Sequence, residues 1–239
     1  MAQVRGKAAA RGIWVGLMAL IALLALLVSG CAAVRSGLSN TGSLPSTSSP
    51  ATLAASAAAA SGPVAGPGPQ ATYRVQAQPA SGTCHYVVLS AAAGDYLPDP
   101  RCTPGATNPR VTQADLRSTI CKSGYTASIR PPASITGREK KASEAAYGFT
   151  GKASTTEYDH LISLELGGDP NSPLNLWPEP NKARAVGVNN PKDGVESALK
   201  SLVCNALHGK AYLPLAKAQY LIATNWTTAV ATAKTELVG

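Results

Sequence analysis

The chain has 239 residues and a formal charge of +8, but that excess is unevenly placed. All thirteen acidic residues lie beyond Cys84, alongside sixteen Lys and Arg, so the C-terminal part is only mildly basic. That balance permits nucleic-acid binding without arguing for it, and a single Phe in the whole chain counts against an aromatic groove for single strands.

Residues 1–30 read as an export segment. Arg5, Lys7 and Arg11 precede a run from Ile13 to Val28 that is apolar apart from Gly16. The run is shorter than the roughly twenty residues a spanning helix needs. Val28-Ser29-Gly30-Cys31 follows, small residues before a Cys that can be lipidated. The pattern predicts a lipoprotein tethered through Cys31 to the outer face of the cytoplasmic membrane; the alternative is an N-terminal transmembrane anchor. Residues 31–82 are rich in Ala, Ser, Gly, Pro and Thr and carry two charges, Arg35 and Arg74, and one aromatic, Tyr73. Such a composition buries too little apolar surface to offset ordering, so it predicts a disordered stalk. Residues 83–239 are then long enough for one domain with a core.

Beyond Cys31 the cysteines are Cys84, Cys102, Cys121 and Cys204. An even count in an exported chain reads as two disulfides with three connectivities. The favoured pairing is Cys84–Cys102, a local staple, with Cys121–Cys204 tying an early helix to a late one. No CxxC pair is present, which speaks against a cysteine zinc site.

Thr112, with Asp115 three residues on, predicts a capped helix over 113–121. Tyr125–Ile129 reads as a short extended segment stopped by Pro131-Pro132, with Arg130 at its end as a phosphate contact. Thr136 is expected to cap a helix over 138–147, closed by Gly148; its Lys140 and Lys141 are a solvated face or a backbone-phosphate contact. Two extended arms follow, 157–166 and Asn175-Leu176-Trp177, joined through Gly167-Gly168-Asp169, where glycine supplies the positive φ of a reversal. Pro178 and Pro180 are expected to stop the second arm. Val195, Leu199, Leu202 and Val203 stripe a helix over 192–205, and Pro214 starts another over 215–223, with 227–237 a possible continuation. The class expected is α+β and mainly helical, around a small two-arm core and stapled by disulfides.

Asp159-His160-Leu161-Ile162-Ser163-Leu164-Glu165-Leu166-Gly167-Gly168, followed by Asn175-Leu176-Trp177-Pro178-Glu179-Pro180-Asn181, resembles the HNH nuclease core, the ββα-metal motif. The wider string, from Gly124–Pro132 through Lys192–Glu196 to Val203-Cys204, is similar to a group of exported bacterial proteins with an HNH-like domain. The resemblance covers about Leu97 to Trp226. It implies a metal-dependent endonuclease acting on DNA or RNA, with His160 as general base, since neutral imidazole is available near working pH. Asn175 would hold the two arms in register through backbone hydrogen bonds. Asp159 would bind one divalent ion, Mg²⁺ or Mn²⁺ first, with Zn²⁺ or Ca²⁺ as alternatives. The chain departs from the pattern at the remaining metal ligand. Asn181, Asn189, Asn190, Asp193 and Glu196 all stand as replacements, and Glu157 as a further carboxylate; Lys192, with Arg130, is a phosphate contact. Nucleic acid and the membrane are the partners implied; no protein partner is inferable. The second reading is a catalytically silent HNH-like surface lipoprotein that binds a wall component or another protein.

Overall fold

The computed structural model describes residues 62–187 and 189–239. Cys31 and the export segment lie outside the described residues. Among the described residues no helix is long and apolar enough to cross a membrane. The mixture of helices and small sheets places the domain in the α+β class, with two disulfides.

Gly62–Gly82, assigned to the stalk from composition, is instead packed on the domain. Strand β1 (Val64–Ala65) pairs in parallel with β4 (Ala106–Thr107). Gly68 N–H donates to Asp169 Oδ2 at 2.6 Å, Tyr73 Oη to the Ile129 carbonyl at 2.6 Å, and Gln76 N–H to Glu139 Oε1 at 2.7 Å. Composition measures what a segment can bury of its own; this arm is ordered by hydrogen bonds to groups the domain supplies, and Pro63, Pro67, Pro69 and Pro79 restrict it beforehand.

The antiparallel pair β2 (Val87–Ser90) and β3 (Asp95–Leu97) follows. Thr112 does meet Asp115, Oγ1 to Oδ2 at 2.6 Å, yet only Gln113–Asp115 forms a 3₁₀ turn and the chain reaches Cys121 through turns. Leu116 and Ile120 are buried. Tyr125–Ile129 is a short helix, α1, not a strand. Gly124, at φ 80°, opens it by accepting the Ser128 N–H at 3.1 Å, and five residues are too few for alternation to separate strand from helix. Pro131 ends it at Arg130, whose ψ is 130°.

Helix α2 (Ala133–Ala146) begins at Pro132, ahead of the Thr136 cap expected, and Gly148 closes it. Strands β5 (Thr156–His160) and β6 (Leu176–Pro180) form an antiparallel ribbon with Asp159 opposite Trp177 and His160 opposite Leu176. Pro178 and Pro180 lie inside β6. Asn181 N–H donates to the Thr155 carbonyl and Leu161 N–H to the Asn175 carbonyl, so the ladder bonds fall at odd positions and both prolines turn their nitrogens away from β5.

Helix α3 (Pro191–Cys204) starts with proline in its first turn, and Asp193 Oδ2 accepts the Asn190 N–H at 3.1 Å. Helix α4 (Leu215–Thr235) unites the two helical stretches expected, broken at Asn225 (φ −160°, ψ 95°), whose Oδ1 accepts the Thr227 N–H and so caps the second half. Leu199, Val203, Ile222 and Trp226 join Leu116, Ile120, Ile162 and Leu166 in the main core, and Trp177 centres a smaller one with Tyr96, Tyr147 and Leu161. Cys84–Cys102 and Cys121–Cys204 are both bonded, with Cα separations of 6.0 and 5.8 Å.

Candidate active site

The site is built on the loop that joins β5 to β6. Asn175, fully buried, uses its whole side-chain amide inside that loop. Its Oδ1 accepts the N–H of Ile162 at 3.0 Å and of Ala106 at 3.3 Å; its Nδ2 donates to the carbonyls of Ile162 and Asp169, both at 3.0 Å. A Cβ at Gly168 would lie 1.7 Å from the Ile162 carbonyl oxygen, so this close approach requires glycine. Asp169 completes the turn by accepting the N–H groups of Asn171 and Ser172.

The clamp fixes His160. The ring is buried, and its Nε2 lies 3.1 Å from the Pro170 carbonyl oxygen. A carbonyl only accepts, so Nε2 carries the proton and the neutral ring keeps its lone pair on Nδ1. Burial, helped by the positive charges of Arg130 and Lys192, lowers the His160 pKa to about 3. His160 lines a cleft of about 250 Å³ with Arg130, Glu157, Asp159, Asp193 and Glu196. A second hollow of about 210 Å³ shares Arg130, Tyr158 and His160. Arg130 is exposed and free to meet a ligand at either opening.

The acidic side of the cleft is organised by Lys192, placed by the first turn of α3. Its side chain has no exposure. The ammonium lies 2.9 Å from Asp159 Oδ2, donates to the His160 carbonyl at 2.8 Å, and also pairs with Glu196. Burial alone would drive such an amine towards neutrality; Asp159, Glu196 and Glu179 reverse this and hold it charged, above the usual lysine range. Trp177 Nε1–H donates to the same Asp159 oxygen at 2.9 Å. The carboxylates outnumber the ammonium. Burial raises the Glu196 carboxyl to about 7, and burial with the Asp159 charge raises those of Glu157 and Asp193. Glu179, buried opposite Glu157 on the ribbon, is raised well above the usual carboxylate range, again chiefly by burial, and its Oε1 has no partner. With Pro178 expected to stop the second arm, Glu179 reads as a turn residue in the sequence, and only the ribbon places it in the interior.

The candidate residues separate accordingly. Asp159, His160, Asp193 and Arg130 line the cleft. Asn181 and Asn190 do not. Asn181 Nδ2 donates to the Ala185 carbonyl at 2.8 Å, and Asn190 Oδ1 accepts the Lys182 N–H at 3.1 Å, so both lock the turn before α3. Lys192 faces inward and cannot meet a phosphate. Lys140 donates to the carbonyls of Ala153 and Thr156 and serves the fold. The arrangement does not fit the divalent ion that the resemblance implies. An ammonium from the chain already stands against Asp159, two of the expected partner ligands are engaged elsewhere, and among the described residues no three of His, Cys, Asp or Glu are grouped to hold a metal. Comparison of the chain with protein-family models, curated proteins and solved structures found no match.

Proposed function

We propose that the domain hydrolyses phosphodiester bonds of DNA or RNA in the His160 cleft, as an HNH-like endonuclease. The observation that supports this most is the Asn175 clamp. It holds the loop so that the Pro170 carbonyl accepts a hydrogen bond from Nε2–H and the Nδ1 lone pair is left to act. In the reaction a water oxygen bonds to phosphorus as the bond to the leaving oxygen breaks; the water proton passes to Nδ1, the leaving oxygen takes up a proton from solvent, and Nδ1 returns its own to solvent. Arg130 holds a phosphate oxygen. The incoming phosphate charge opposes the smaller lowering that Arg130 and Lys192 cause, while burial, the larger cause, stays. On the same reading the chain is exported and tethered through Cys31 or an N-terminal anchor, which suits two disulfides.

A second reading is supported by Lys192. Its pairing with Asp159 removes the carboxylate an HNH core uses, as in a catalytically silent surface module that binds a wall component or another protein. Nicking of supercoiled plasmid by the full-length protein separates the two, run with Mg²⁺, Mn²⁺, Ca²⁺ or Zn²⁺ and with EDTA. The nuclease reading expects cutting that falls by about 10²–10⁴-fold in His160→Ala. Undiminished cutting in that variant would overturn the role of His160. No cutting by folded protein under any condition would leave the binding module. Cutting in EDTA would place the chemistry on the chain alone; cutting only with metal would mean that Lys192 yields its place.

A further inference from the structure

A hollow of about 460 Å³ lies away from the His160 cleft. Its walls come from distant parts of the chain: Tyr86, Tyr147, Phe149 and Arg184. The guanidinium of Arg184 is stacked on two rings, 5.5 Å from the centroid of Tyr96 and 5.2 Å from that of Phe149. Two consecutive residues in the left-handed region, Ala183 (φ 52°) and Arg184 (φ 54°), hold it there, neither of them glycine. Asn181 ties this strained turn by its bond to the Ala185 carbonyl. Strain of this kind persists where surrounding structure enforces it and gathers at binding sites. Among the described residues Arg184 has no ion-pair partner. The nearby carboxylate, Glu144, is engaged by Thr156 at 2.6 Å and Lys140 at 3.9 Å.

The rings are also set in place. Phe149 lies over Gly151, where a Cβ would come within 2.6 Å of its Cζ. Tyr86 is half-buried, stacks on Tyr147 at 4.8 Å and donates its hydroxyl to the Pro178 carbonyl. A stacked guanidinium recognises phosphate in a fork, and aromatic side chains that line a hollow can stack a base. The volume suits one small ligand.

We propose that this hollow is a nucleotide subsite that holds one unpaired base of a single strand against Phe149 and Tyr86, with its phosphate on Arg184. The subsite deepens the nuclease reading and rests on it for its purpose. Thr155 lines the hollow and β5 runs from the next residue to His160. At about 3.3 Å per residue that is roughly 17 Å, so a strand anchored here is presented to the His160 cleft a short way along. A base inside a duplex has no free face to offer, so the substrate is single-stranded or frayed. Tyr86 and Tyr147 give the hollow rings that a count of phenylalanines leaves out.

The test is fluorescence anisotropy of a fluorescein-labelled single-stranded hexathymidylate with the full-length chain in EDTA. Thymidine monophosphate, thymidine and inorganic phosphate serve as competitors. Arg184→Gln and Phe149→Ala should each weaken binding tenfold or more, and the monophosphate should compete better than thymidine or phosphate alone. Arg184 is exposed, so Arg184→Gln carries the test if Phe149→Ala does not fold. Binding that ignores both variants overturns the subsite, as does competition by inorganic phosphate equal to that of the nucleotide. If neither plasmid nor a single strand is cut while the oligonucleotide binds in this pattern, the nuclease reading fails and the subsite stands. If cutting depends on His160 while binding ignores Arg184, the reverse holds.

Discussion

His160 shows how far burial carries a side chain from its ordinary chemistry. Its pKa falls from 6.5 to about 3, so the ring is neutral in the folded protein across the physiological range. The unfolded chain takes up this proton near pH 6.5 and the folded chain only near 3. Between these limits the unfolded state binds more protons, so stability falls as pH falls through that window. In His160→Gln the amide can still donate to Pro170 but cannot titrate. Between pH 8 and pH 4.5 the variant is expected to lose about 2–3 kcal/mol less stability than the wild type. Urea unfolding at the two pH values measures this, and the carboxylates, present in both proteins, cancel in the comparison. An equal loss in both would show that His160 titrates normally.

At the scale of elements, the ribbon and α3 depend on ties that cross the chain. The Cys121–Cys204 bond spans 83 residues and anchors the end of α3; Cys84–Cys102 spans 18. If disulfides act mainly on the unfolded chain, the longer loop contributes more, about 4 kcal/mol against about 3. The double variant Cys121→Ser, Cys204→Ser is therefore expected to unfold at lower urea than Cys84→Ser, Cys102→Ser. The reverse order would point to the small aromatic core beside Cys84 as the more dependent on its staple. That core also explains why β6 tolerates two prolines. Only one edge of the strand is paired, and the register puts both nitrogens on the other side.

For the molecule as a whole, the arm at Gly62–Gly82 moves the boundary of the domain. It supplies partners to Asp169, Glu139 and the Asn171 amide, all buried, and removing it would leave those groups without them. A fragment of residues 83–239 is expected to be at least about 2 kcal/mol less stable than one of residues 62–239. Equal midpoints in urea would show the arm to be a passive covering.

Local signals were legible in the chain itself. Residue order and spacing were enough for the helix over 192–205 and the glycine reversal at 167–168, because each depends on neighbours in sequence; the loop-holding role of Asn175 came from the resemblance, and of three cysteine connectivities the favoured one is formed. Tertiary structure decided the rest. Lys192 reads as a surface lysine at a helix start until α3 docks and turns it onto Asp159, where low dielectric makes the pairing obligatory. Asn181 and Asn190 read as ligands until their amides close a turn. The arm reads as a linker until the domain offers partners for its backbone. In each case the deciding term is the burial of a polar group beside a partner distant in sequence, an energy that no local pattern records.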